Sequence, residues 1–282
     1  MQSQTRWQER FQAKYGPWAV VTGASSGIGR ELASLLAEAK LNLVLVARSK
    51  DILEQFAAQL TASHGCQCRV VCLDLAKETG IETLEEATRE LDVGLLIACA
   101  GFGSSGPFLE SSLDQELDML LVNCRSLMAL SWYFGRRFAK QGRGGLILMS
   151  SIVGFQGTPW AAHYAATKAY VQALAEALSV ELAPVGVDVL ASAPGPTNSG
   201  FAARAGMRMA LSPNPAHLAQ PTLAALGRRS TVLRGTLSKL LTYSLVLLPR
   251  WARVRIMGGV MRGMTKHRQR NTDLEPARQA CV

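Results

Sequence analysis

Thr22-Gly23-Ala24-Ser25-Ser26-Gly27-Ile28-Gly29 decides the fold. It follows an apolar run, Trp18–Thr22, and leads into a helical pattern in which Leu32, Leu35, Leu36 and Ala39 share one face. Strand, glycine turn and helix start together make a pyrophosphate site. Glycine lets the backbone turn tightly and approach phosphate oxygens, and the free N–H groups of the first helical turn supply donors at the positive end of the helix dipole. The spacing is G-x-x-x-G-x-G, not the commoner G-x-G-x-x-G. An ordinary glycine-rich turn has the same composition, and the position directly after the first strand argues against it. Gly23, Ser25, Ser26, Gly27, Ile28 and Gly29 are therefore the expected cofactor contacts of this loop.

Outward from the loop, Leu43–Ala47, Val70–Leu73, Leu95–Cys99, Leu146–Ser150 and Val187–Ala191 read as further buried strands, with a short seventh near Thr231–Leu233. Helical patterns separate them, the longest over 113–138 and 161–182, the latter stopped by Pro184 and Gly186. The alternation predicts an α/β chain: a doubly wound parallel sheet of six to seven strands with helices on both faces. The expected division is an N-terminal extension over 1–16, a Rossmann domain over 17–235 with a lid at about 197–221, and a basic, apolar C-terminal extension over 236–282.

Composition bounds the function. At 48% hydrophobic and 18% charged, the 282 residues are too apolar for a disordered chain, and 6% aromatics do not suggest a stacking platform for nucleic acid. The net charge of +9 is unevenly placed: residues 189–272 carry 13 basic and no acidic side chains. Such a block faces nucleic acid, an anionic membrane or an anionic substrate, and the interleaved apolar residues favour the last two. The six cysteines show no paired zinc spacing, so no metal is expected, and scattered reduced thiols fit a cytoplasmic protein. The N-terminus lacks the apolar core of a signal peptide, and Leu240–Leu248 is too short to span a bilayer.

The end of the second strand discriminates between cofactors. An acidic residue there holds the ribose 2′-OH of NAD; Ala47-Arg48-Ser49 instead offers a guanidinium for a 2′-phosphate, so NADP(H) is preferred over NAD(H). A solvated surface arginine is the alternative for Arg48. Asp74, after the third strand, meets an adenine amino group or caps its own loop.

Tyr164 and Lys168 lie four apart on a predicted helix, hence on one face; Ser151 ends the fifth strand and Asn123 lies on the preceding long helix. These types suit carbonyl reduction. A phenol works as acid–base near neutrality only when its phenolate is stabilised, which the Lys168 ammonium is expected to do by lowering the Tyr164 pKa. Ser151 hydrogen-bonds the substrate carbonyl. Asn123 holds a water that feeds protons to Lys168. Singly, each has a bland structural explanation; jointly, behind the phosphate loop, they do not.

With Asp74, Ala100-Gly101, Asn123, Ser151, Tyr164, Lys168 and Pro194-Gly195 in this order behind the glycine loop, the sequence resembles the short-chain dehydrogenase/reductase family. The resemblance covers about residues 17–200. It implies a single Rossmann-type domain with strand order 3-2-1-4-5-6-7, a Ser–Tyr–Lys–Asn tetrad and pro-S hydride transfer. It adds Leu75, Ala100, Gly101, Tyr164, Lys168, Pro194, Gly195, Thr197 and Ser199 to the cofactor contacts, and it implies a homo-oligomer, a dimer or tetramer, paired through the two long helices. Ala100-Gly101-Phe102-Gly103 and Pro194-Gly195-Pro196-Thr197 resemble bacterial members near the 3-oxoacyl and hydroxysteroid reductases. The family's usual Asn-Asn-Ala-Gly is replaced by Ala98-Cys99-Ala100-Gly101, which removes two hydrogen-bonding side chains.

The expected activity is therefore an NADP(H)-dependent interconversion of a ketone and a secondary alcohol. Phe155, Trp160, Phe201, Met207 and Met209 stand where the family builds its pocket and lid, implying an apolar substrate such as a fatty acyl chain, steroid or other bulky carbonyl. Core packing is their alternative. In the C-terminal block, peripheral contact with an anionic membrane through Trp251 competes with a docked helix bearing a solvated basic face; Gly258, Gly259 and Gly263 weaken an amphipathic helix. The rival to an enzyme is a dinucleotide-sensing or scaffold protein on the same fold.

Overall fold

The computed structural model describes residues 2–197, 201–206, 214–235 and 247–272, with 238, 239, 242, 244 and 245. Ser199, Met207 and Met209 lie outside the described residues. Seven parallel strands, β1 (Trp18–Thr22), β2 (Asn42–Ala47), β3 (Cys68–Cys72), β4 (Val93–Ala98), β5 (Gly144–Met149), β6 (Val187–Ala193) and β7 (Thr231–Leu233), form one sheet in the order β3-β2-β1-β4-β5-β6-β7. This is the expected Rossmann-type order. It reverses direction at β1, where Thr22 pairs with Val46 on one side and Ala98 on the other. The loops leaving β1 and β4 diverge there and open a crevice at the strands' C-terminal ends.

Both faces of the sheet are covered, which is why β4 and β5 are buried at every position. Alternate residues feed two cores. Ala19, Val21, Leu43, Leu45, Leu95 and Ile97 point to α2 (Gly27–Glu38) and α3 (Lys50–His64). Val20, Val44, Val46, Leu96, Leu146 and Leu148 point to the other face, against Leu84 of α4 (Glu78–Thr88) and the helices that follow β4 and β5. Residues ahead of β1 form α1 (Gln2–Tyr15), whose Phe11 and Tyr15 join the first core. The buried Tyr15 hydroxyl donates to the Asp188 carboxylate, which also pairs with Lys14.

The helical segment expected over 113–138 is present and runs to Gln141, but it changes its winding part-way. α5 (Leu113–Leu120) and α6 (Leu127–Gln141) flank a π-helical turn, Leu121–Ser126, that carries Asn123. A π turn adds a residue to the helical repeat and re-aims the side chains after it; nothing in an apolar-periodicity reading reports it. α7 (Ala162–Glu181) then carries Tyr164 and Lys168 on its buried face.

Within the stretch expected as a lid, 197–221, the described residues are of two kinds. α8 (Phe201–Arg204) is a single turn over the crevice, whereas α9 (Ala216–Ala225) packs Ala219 and Leu223 into the first core. The C-terminal block forms α10 (Arg250–Thr272) straight through the three glycines expected to weaken it. A Cβ on Gly258 would sit 3.2 Å from the Pro159 ring, so the bare backbone lets α10 come close to the loop before α7. Its Met257 and Met261 are buried while Trp251, Arg255 and Ile256 are exposed. Among the described residues, no helix is long and apolar enough to cross a membrane.

Candidate active site

The crevice at the switch point is one cavity of about 360 Å³, running from the phosphate loop to α10. At one end lie Gly23, Ser25, Ser26, Gly27, Ile28 and Gly29, with Arg48, Asp74 and Leu75 beside them. The close backbone approach that the glycines permit is measurable. Gly23 has φ +70°, and a Cβ there would lie 3.0 Å from the Ala100 backbone; a Cβ on Gly29 would lie 2.5 Å from the Gly23 carbonyl oxygen. The cradle exists because these side chains are missing, and the first N–H groups of α2 stay directed at it.

Arg48 is exposed at the end of β2, and among the described residues no carboxylate pairs with it. Asp74 does both things open to it: it lines the cavity, and its Oδ1 accepts from Ala76 N at 3.0 Å. The altered segment Ala98-Cys99 is braced from β1. Thr22 Oγ1 accepts from the N–H groups of Cys99 (3.1 Å) and Ala100 (3.0 Å), which holds the strand end without the asparagine side chains. Pro194, Gly195 and Thr197 line the far side.

In the centre, Ser151, Tyr164 and Lys168 converge. Burial pushes the Tyr164 phenol up to about 12, and the Ser151 hydroxyl beside it pulls the other way without offsetting the burial. The expected agent, Lys168, is placed otherwise. Its Nζ donates to the Met149 carbonyl at 2.8 Å and lies 5.9 Å from the Tyr164 ring centroid. Burial brings the ammonium down to about 8, countered in part by the Cys99 and Cys124 thiols.

Asn123 is fully buried and its side chain is committed. Oδ1 accepts from Phe102 N at 3.1 Å; Nδ2 donates to Phe102 O at 2.8 Å and to Thr167 Oγ1 at 3.0 Å. Both donors are used, so the amide braces the loop after β4 against α7 and does not donate to a relay water. A Cβ on Gly101 would fall 2.8 Å from Asn123 Oδ1 and 3.4 Å from Lys168 Nζ, which closes the loop over both.

The substrate end differs from expectation. Phe201 packs its ring 5.2 Å from that of Tyr164. Trp160 packs beside them at φ +67°, but Phe155 turns into a small core with Ile152, Ala193 and Leu233 and does not line the cavity. The missed wall is on α10: Met257, Val260, Met261 and Met264 line the cavity. Their spacing of three, four and seven is a legible helical stripe, masked by the glycines and arginines between them. Arg204 of α8 was also missed, and no local pattern marks it.

Comparison with known proteins agrees with this architecture. The family described as short chain dehydrogenase matches residues 17–209. A 7beta-hydroxysteroid dehydrogenase of Clostridium sardiniense is 34% identical over 187 residues, covering 66% of this chain and 72% of that protein. A very-long-chain 3-oxoacyl-CoA reductase of Phaeosphaeria nodorum is 33% identical, covering 76% of this chain and 64% of that one. Among solved structures, one from a study of 7beta-hydroxysteroid dehydrogenase stereoselectivity superposes with TM-score 0.81 at 26% identity, over 88% of this chain and 98% of the other. A short-chain dehydrogenase from Sphingobium yanoikuyae in complex with NADPH gives TM-score 0.73 at 31% identity, over 77% and 87%. The order of the sheet, the glycine loop at its switch point and the match over most of the chain make this protein an oxidoreductase of the short-chain dehydrogenase/reductase family.

Proposed function

We propose that the chain is an NADP(H)-dependent reductase that interconverts a bulky, apolar ketone and its secondary alcohol. One observation carries this reading: the phosphate loop, the Ser151–Tyr164–Lys168 cluster and the apolar stripe of α10 share one cavity. The named relatives act on steroids or 3-oxoacyl-CoA thioesters, which supports a polycyclic or long-chain carbonyl. The NADPH complex of the Sphingobium protein supports the reading of Arg48.

A nicotinamide dinucleotide held by the glycine loop, Arg48, Asp74 and Lys168 would supply or accept the hydride. The chain's own groups do the rest. Tyr164, with its phenol near 12, keeps its proton at neutral pH, the form required of a general acid. It donates to the carbonyl oxygen as that oxygen gains charge. Ser151, which lines the same cavity as the phenol, is placed to share that oxygen. Lys168, tied to Met149 O, holds a positive charge in a dry site where charge counts most. Asn123 keeps the loop after β4 seated, and Phe201 and α10 exclude water.

Two surfaces extend the reading. Exposed Leu113, Leu117, Trp132 and Tyr170 on α5, α6 and α7 suit pairing of two copies through the long helices. Exposed Leu247, Trp251 and Ile256 beside Arg255 suit peripheral contact with an anionic membrane from a cytoplasmic protein. The test of the reading is parallel calorimetric titration with NADPH and NADH. Tighter binding of NADPH supports it; preference for NADH removes Arg48 from it; binding of neither favours a scaffold role.

A further inference from the structure

We infer that Arg204 is a second anion-binding arginine of the dinucleotide site, one that clamps the pyrophosphate and couples its binding to the shape of the substrate pocket. The inference rests on the proposed dinucleotide chemistry and adds a residue outside the strand-loop-helix unit.

Ser26 is the N-cap of α2, and in most helices a serine there turns its hydroxyl back onto its own first turn. Here it makes no such cap. Its Oγ instead accepts from Arg204 Nη2 at 3.4 Å. The guanidinium thus sits at the positive end of α2, where a cation meets no favourable partner of its own. Among the described residues no carboxylate pairs with Arg204. A guanidinium on the N-cap hydroxyl of α2, lining the same cavity as the glycine loop, suits a pyrophosphate, which would take both the helix donors and the guanidinium fork.

The position also links two ends of the site. Arg204 and Phe201 are the two ends of α8, a single turn. Phe201 lies on the Tyr164 ring, and Ser105 Oγ fixes the turn by donating to Ala205 O at 2.6 Å. An anion drawn to Arg204 therefore pulls on the same turn that packs against the acid–base tyrosine. Pyrophosphate binding should seat Phe201 and complete the substrate wall.

The test compares Arg204→Gln and Arg204→Lys with the wild-type chain by calorimetry. The probes are NADPH and adenosine 2′-monophosphate, which carries the 2′-phosphate but no pyrophosphate. Loss of a charge-assisted contact should weaken NADPH about tenfold in Arg204→Gln, more at low salt than at high, with much of the loss restored by lysine. Binding of adenosine 2′-monophosphate should not change. Hydrogen exchange of residues 201–206 should slow on adding NADPH to the wild-type chain and not to Arg204→Gln. Equal NADPH affinity in all three chains overturns the inference and leaves the reductase reading intact. Failure of the wild-type chain to bind NADPH at all overturns the reading beneath it.

Discussion

Asn123 holds both backbone groups of Phe102, accepting from its N–H at 3.1 Å and donating to its carbonyl at 2.8 Å. A side-chain amide that pairs with a peptide unit in this way replaces one rung of a β ladder. It is available because the π turn at Leu121–Ser126 aims Asn123 inward, away from the register of α5 and α6. The third bond, to Thr167 Oγ1, joins that rung to the helix bearing Tyr164 and Lys168. The loop that roofs the cavity and the helix that carries the chemistry are thus held by one amide.

Replacing Asn123 with Ala leaves partly buried backbone groups of Phe102 without their side-chain partner. The expected cost is about 2–4 kcal/mol of stability, read by urea denaturation, with a fall in kcat larger than any change in the KM for ketone. Asn123→Asp should retain the bond to Phe102 N but lose both donors, and it should rescue neither property.

Tyr164→Phe removes the acid and leaves the cavity's shape. Turnover should fall by about a thousandfold or more, because general acid catalysis alone contributes ~10²–10⁴. NADPH affinity should stay within about twofold, since the phenol is not among the phosphate contacts. Equal loss of binding and turnover would assign the tyrosine to cofactor binding.

Lys168 trades stability for chemistry. Its ammonium is normally protonated up to 10.5, and burial lowers that to about 8 in the folded chain. Between those values the unfolded chain binds the extra proton, so this group makes stability rise with pH across that window. Below about pH 8 both states are protonated and the burial cost stands in full. Lys168→Met should therefore be inactive yet about 1–2 kcal/mol more stable at neutral pH, after allowing for the lost bond to Met149 O. The advantage should shrink as pH rises above 8. A thermal melt series from neutral to alkaline pH checks the sign.

The specificity of the apolar end falls on α10. Met261→Trp should fill the cavity and raise the KM for a steroid or long-chain ketone about tenfold or more while sparing a small ketone, because overpacking a well-filled wall is costly only to what must fit beside it. A similar change at Phe155, which faces its own small core, should lower stability without altering that selectivity.

Much of this was legible in the sequence, for physical reasons. The sheet order and the phosphate loop follow from local signals: β-run, glycine turn and helix start are contiguous, and Gly23 at φ +70° has no substitute. Tyr164 and Lys168 are legible because i and i+4 share a helix face. What was not legible is tertiary. The hydrogen bonds of Asn123 depend on a π turn, the direction of Lys168 on a strand carbonyl, and the role of Arg204 on a serine 178 residues away. The α10 stripe lies between. Its spacing is written in Met257, Val260, Met261 and Met264, but the docking shows only in the fold, where Met257 and Met261 are buried and Gly258 lies against Pro159.

Lipid contact has its own check. Exposed Trp251 and Ile256 with Arg255 should carry the chain up a density gradient with anionic vesicles at low salt, and Trp251→Ser should abolish this. No flotation with anionic vesicles at low salt would leave α10 as a pocket wall alone.

Whether the cavity performs proton-coupled hydride transfer to a bulky carbonyl is decided by one comparison. NADPH is mixed in a single turnover with a polycyclic steroid ketone and with a long-chain 3-oxoacyl thioester, in the wild-type chain and in Tyr164→Phe. Oxidation of NADPH with formation of the secondary alcohol in the wild-type chain, and its near-complete loss in the variant, is the expected result. Bound NADPH that stays reduced with every bulky ketone, or the same rate in Tyr164→Phe, would contradict it.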